Sequence, residues 1–323
     1  MWSLYGWFCG LMVCGSCFGA VTWAARMMQF VNGFNANDAI SSRRDFVQGA
    51  SLTALSYSWF AVFAVMYAIE FLFLSAARLM VLDRMSYFSA GLDEGTRKRW
   101  AAGGRMVMAV VVLGNAVGLA ANVAAAVHVQ RAAEAASTAS VLYAANNTQV
   151  AFESASLSQT EIQLAVSIAA VQSFCEVAVL LLIVAAFVVA GVVCARLVNS
   201  RLLAVDTASA SAAAVRELRR QILATTAVVF VAFVVRSVQS TMFAVARQLQ
   251  DGARRCPGVN GFCDPSCHNV FTHINQWMTF TPEFQVTVGL VSSPLTLLVA
   301  LWGMTSRQTL HAMTSKEQEM PLR

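Results

Sequence analysis

Leu164-Ala165-Val166-Ser167-Ile168-Ala169-Ala170-Val171-Gln172-Ser173-Phe174-Cys175-Glu176-Val177 continues to Ala195 without a second charged residue, and this run decides the class of the chain. A hydrocarbon core of about 30 Å takes roughly 20 apolar residues of helix at about 1.5 Å per residue. Backbone amides in lipid have no water to bond, so such a run must be helix rather than open strand. Five further stretches meet the same length: 2–25, 52–82, 106–129, 222–245 and 284–304. The stretches at 52–82 and 164–195 exceed a single span and are expected to tilt or to project past the membrane. With 58% hydrophobic and 12% charged residues, the composition lies outside that of soluble domains. The expected fold is an all-α polytopic bundle of six transmembrane helices forming one domain over residues 1–323, with the lipid bilayer as its main partner.

Basic residues orient the bundle. Fourteen of the 22 Lys and Arg, among them Arg84, Arg97, Lys98, Arg99, Arg216, Arg219 and Arg220, fall on one side of the spans, and seven on the other. The richer side should face the cytoplasm, which places both termini inside and the connections 27–50, 130–163 and 246–283 outside. The sequon Asn146-Asn147-Thr148 falls in the middle outer connection, making Asn146 the glycosylation candidate. No basic residue precedes the apolar run at 2–25, so a retained helix is expected there. A cleavage site near Trp23-Ala24-Ala25 is the alternative and would leave five helices.

The eight cysteines divide by location. Cys9, Cys14, Cys17, Cys175 and Cys194 lie in apolar stretches, where a thiol is expected to serve as a small buried hydrophobe. Cys256, Cys263 and Cys267 sit in a Pro/Gly-rich outer connection, which suits a disulfide with one thiol left over. His268 and His273 follow closely, but the spacing matches no standard zinc pattern, so no metal is expected.

Ionisable groups inside the spans are the candidate site residues. Glu70, Glu176 and Arg236 each stand in an apolar stretch, where a charge costs at least about 2.5 to 3.5 kcal/mol on insertion scales. Glu176 and Arg236 lie at similar depth on stretches joined by a short connection, so an interhelical ion pair is expected, with ligand or ion handling as the rival role. Glu70 lies deeper and has no obvious cation at its level; a protonated acid there, bonded to a side chain such as Asn115, Asn122 or Gln239, is the expectation. The third stretch carries Gly114-Asn115-Ala116-Val117-Gly118, a small-xxx-small step that suits close helix packing and also a homo-oligomer face.

Several classes are disfavoured. Phosphate-loop, His-Glu-x-x-His and Gly-x-Ser-x-Gly patterns do not occur, so no enzyme activity and no cofactor are expected. A net charge of +5 follows from topology and gives no ground for nucleic-acid binding. The basic inner segments around Arg97 to Arg99 and Arg216 to Arg220 suit anionic lipid headgroups, or a cytosolic partner.

Leu82-Asp83-Arg84-Met85 closes a span on its inner side, and Ser292-Ser293-Pro294-Leu295 stands in the last span ahead of a tail that suits a surface helix. In these residues and in topology the chain resembles rhodopsin-like G-protein-coupled receptors, its six spans matching helices two to seven. The resemblance implies a switch role for Asp83 and Arg84 and a partner-facing surface at Arg97 to Arg99. An ordinary charged helix end is the simpler and preferred account of Asp83 and Arg84. The functional expectation is receptor-like signalling or ligand sensing, with a transporter or channel using the intramembrane Glu and Arg residues, or a structural membrane-organising protein, as alternatives.

Overall fold

The computed structural model describes residues 2–42, 44–88 and 94–203, with scattered positions between 220 and 245. Four long helices follow one another: α1 (Trp2–Ser41), α2 (Phe46–Phe88), α3 (Glu94–Ala144) and α4 (Thr148–Leu203). Each is long and apolar enough to cross a membrane, and no strand occurs among the described residues. A shorter apolar helix, Phe230–Met242, lies in the fifth stretch, whereas the sixth stretch lies outside the described residues. Of the six apolar stretches expected to span, four therefore lie in helices long enough to do so.

The helices outrun their apolar stretches. At 40 to 56 residues they measure about 60 to 84 Å, two to three times the hydrocarbon thickness. The connections expected at 27–50 and 130–163 are mostly helix, reduced to turns near 42–45 and 145–147. The reason lies in composition: 122–190 contains neither Gly nor Pro, and its polar part is rich in Ala, the strongest helix former. Loss of hydropathy ends a span; it does not end a helix.

Turn chemistry sets the two sharp reversals. Asp45 caps α2, its Oδ1 accepting from the Gln48 amide at 2.9 Å, and Arg44 before it takes a left-handed φ of 54°. Between α3 and α4, Asn146 has a φ of 60°. The Asn147 amide donates to the Leu142 carbonyl and the Asn146 amide to the Tyr143 carbonyl, each at 3.0 Å, forming a Schellman closure with Asn at the left-handed position.

The contacts divide the chain into two compact units. The first takes Met1–Leu74, Leu113–Val177 and Ser240–Phe280; the second takes Ser75–Val112, Ala178–Gln239 and Thr281–Arg323. In the first unit α1 to α4 pack on a seam of small residues. Asn115, Gly118, Asn122, Ala125, Val129, Ala132, Ala136 and Ala139 are buried along α3, spaced three and four apart throughout. That is the seam of a coiled coil. On α4 it meets Ala151, Ser158, Ala165, Ala169 and Gln172, with Ser158 Oγ donating to the Ala132 carbonyl at 2.7 Å and Ser154 Oγ to that of Ala135 at 2.8 Å. α1 approaches α2 through Gly15, where an added Cβ would lie 3.1 Å from Leu74 Cδ2, and Phe18 stacks on Phe73 at 5.5 Å. The second unit has its own core, in which Leu180, Ile183 and Val111 are fully buried together with Ser75 and Arg78.

The cysteines of α1 correct one expectation. Cys9, Cys14 and Cys17 are exposed rather than buried, and Cys175 is half-buried. Gly15, Gly19, Thr22 and Ala25 take the packed face of α1, because only small side chains let it approach α2 so closely. The thiols are left on the other faces, where lipid suits them as well as protein would.

Candidate functional site

The first unit places one carboxylate at the meeting of three helical segments. Glu176, 3% exposed on α4, accepts from Tyr67 Oη of α2 at 2.6 Å through Oε2, and from Ser240 Oγ at 2.8 Å through Oε1. The Tyr67 distance is at the short end for a hydroxyl donating to an oxygen. Both carboxylate oxygens are thus held by donors from other segments. An apolar run tolerates such a group because the partners take over the work of water.

Polar side chains line the same levels of the unit. Asn122 Nδ2 donates to the Ala64 carbonyl at 3.0 Å, tying α3 to α2. Gln172, one turn before Glu176, puts its carboxamide oxygen into the space where a Gly118 Cβ would stand. Glu70 lies against α1, its Oε1 3.1 Å from the position of a Cβ on Gly19. Glycine at 19 and 118 makes room for polar side chains, and not only for backbone approach.

An aromatic ladder climbs α2 from this centre. Tyr67 stacks on Phe63 at 5.8 Å and Phe63 on Phe60 at 6.1 Å. The Arg26 guanidinium lies 4.9 Å from the Phe63 ring centroid and 4.3 Å from that of Phe30, a cation held on two ring faces. Higher on the α3/α4 seam, His128 Nδ1 and Glu161 Oε2 meet at 2.7 Å, each side chain 22% exposed.

The expected residues are distributed as follows. Glu70 and Glu176 stand in the first unit, Arg236 is half-buried in the second, and the bonds described for Glu176 run to Tyr67 and Ser240. Asn122, expected to bond Glu70, uses its amide on Ala64. Asp83 and Arg84 lie within α2, which runs on to Phe88. Cys256, Cys263 and Cys267 lie outside the described residues. Asn146 is exposed in the α3/α4 turn. Tyr67, Ser240 and Gln172 were not singled out by sequence; the signal for Tyr67 was a phenol inside an apolar run, which needs a partner for its hydroxyl. Arg78, one of the fourteen basic residues assigned to the inner side, is 1% exposed, so it belongs to a core and not to a headgroup surface.

No protein-family model matches the chain, and no curated protein or solved structure matches it either.

Proposed function

We propose that this chain is a receptor-like membrane protein that passes a conformational signal along unbroken helices. The observation that carries this reading is the continuity of α3 and α4. Each runs as a single helix from the turn at 145–147, down the small-residue seam, past Gln172 and Glu176, to the segments 94–112 and 178–203. Many membrane carriers build their sites at unwound helix breaks near mid-bilayer, and neither α3 nor α4 is broken in that way. In this reading the turn between α3 and α4 faces outward, the Glu94 and Leu203 ends face the cytoplasm, and Glu176 is the pin that holds α2, α4 and the 240 segment in register. Asp83 and Arg84, with Arg97 to Arg99, form the cytoplasmic surface.

A wedge tests the relay. Ala132 is fully buried between α3 and α4, so Ala132→Leu should splay the two helices there, while Ser137→Leu on the exposed face serves as control. Spin labels on cysteines replacing exposed Arg99 and Arg196 report on the far ends. The reading expects Ala132→Leu, and not the control, to shift the distance distribution, with helix content unchanged. An unaltered distribution overturns it and leaves the structural role. Solute or proton flux into proteoliposomes that disappears in Glu176→Gln would select transport instead.

A further inference from the structure

We propose that the apex of the α3/α4 hairpin is an N-glycan attachment site, with Asn146 as acceptor; this rests on the outward placement of that turn. From Val129 to Ala144 α3 continues for about 22 Å beyond its apolar stretch, and α4 returns over a similar length. The exposed residues of this arm include Gln130, Arg131, Glu134, Glu153, Gln159 and Thr160, alongside Val141, Val150, Phe152 and Leu157. The sequon therefore stands in the turn that joins the ends of α3 and α4, next to the start of α2, whose Phe46 packs on Tyr143 at 5.7 Å.

Local geometry separates what the fold requires from what it does not. Asn146 occupies the left-handed position of the Schellman closure, which Asn and Gly fill more readily than other residues. Asn147 caps α4, its carbonyl accepting from the Ala151 amide at 3.1 Å. Both asparagines thus have backbone roles. Thr148, the first residue of α4, is exposed, and that position makes no demand for a hydroxyl. It is the residue that completes Asn-x-Thr. The Asn146 backbone amide is used inside the closure, while its side chain is exposed and available.

The transfer uses a polyprenyl-diphosphate-linked oligosaccharide and the transferase of the secretory pathway. The Asn146 Nδ2 forms a bond to the anomeric carbon, the bond from that carbon to the diphosphate oxygen breaks, and polyprenyl diphosphate leaves. The amide proton passes to a base of the transferase. A glycan at this place adds bulk and solubility to the tip without contacting the seam below it.

The geometry also selects the variants. Asn146→Gly keeps the left-handed turn and removes the acceptor, Thr148→Ala keeps the acceptor and removes the hydroxyl, and Thr148→Ser retains the sequon. The chain is translated with microsomes and treated with peptide N-glycosidase. Wild type and Thr148→Ser should each lose mass equal to one glycan on digestion; Asn146→Gly and Thr148→Ala should migrate at the digested position without treatment. Wild type unaffected by digestion, or a shift that persists in Asn146→Gly, overturns the proposal. Protease protection of a tag inserted after Asn147, in the same membranes, tells apart the two ways of failing. A protected tag means that the turn is lumenal and the site unused, whereas an accessible tag means that the orientation itself is wrong.

Discussion

At the scale of the residue, the centre at Glu176 shows how a costly side chain is made tolerable. A carboxylate in an apolar interior loses its hydration, and the hydroxyls of Tyr67 and Ser240 restore a hydrogen bond to each oxygen. Bonds to charged groups in soluble proteins are worth about 1.5 to 3 kcal/mol, while those between membrane helices average less, near 0.6. Tyr67→Phe should therefore lower stability in detergent by about 1 to 2 kcal/mol, with Ser240→Ala somewhat weaker. Because both act on one carboxylate, each loss should shrink in a Glu176→Leu background. A double-mutant cycle on thermal unfolding reads this directly, and coupling below about 0.5 kcal/mol would mean that the hydroxyls do not serve Glu176.

At the scale of the element, the seam reverses the usual ranking of residues. Alanine in place of a helical glycine normally stabilises by about 1 kcal/mol. At Gly118 the side chain of Gln172, itself 4% exposed, fills the Cβ space and must leave it. Gly118→Ala should then destabilise by about 1 to 3 kcal/mol through overpacking, and in a Gln172→Ala background the same change should become neutral or favourable. Denaturation of the four variants tests the change of sign; a stabilising Gly118→Ala in the parent chain would show that Gln172 moves aside freely. Such a seam is hard to read in sequence. In lipid the outward faces of α3 are as apolar as its inward face, with Val112 and Leu113 exposed beside buried Val111, so hydropathy carries no period. The visible part was the small-xxx-small step at Gly114 and Gly118. Its continuation to Asn122 and Ala125 is also legible, whereas the part through Ala132 and Ala139 was hidden because alanine is common on every face of this helix.

At the scale of the whole molecule, the proposed orientation makes an accessibility prediction. With the native cysteines replaced, a cysteine at exposed Glu153 near the α3/α4 turn should react with an impermeant thiol reagent on intact cells, whereas one at exposed Arg99 should react only after permeabilisation. The reverse pattern would invert the protein. Apolar run length and composition were enough, from sequence, to mark four helices as able to cross a membrane, because that property depends on a sum over residues and not on their neighbours. Turn positions were only partly legible. Asn146 and Asp45 carry recognisable turn and cap chemistry, but the chain around them was read as loop because loss of hydropathy was taken for loss of helix. The partners of the buried charges were decided by tertiary structure alone. Tyr67 and Ser240 are 109 and 64 residues from Glu176, and which hydroxyl meets a carboxylate depends on the rotation of each helix about its axis. That rotation is set by close packing at Gly15, Gly19 and Gly118, a property of surfaces in contact that no single run of sequence contains.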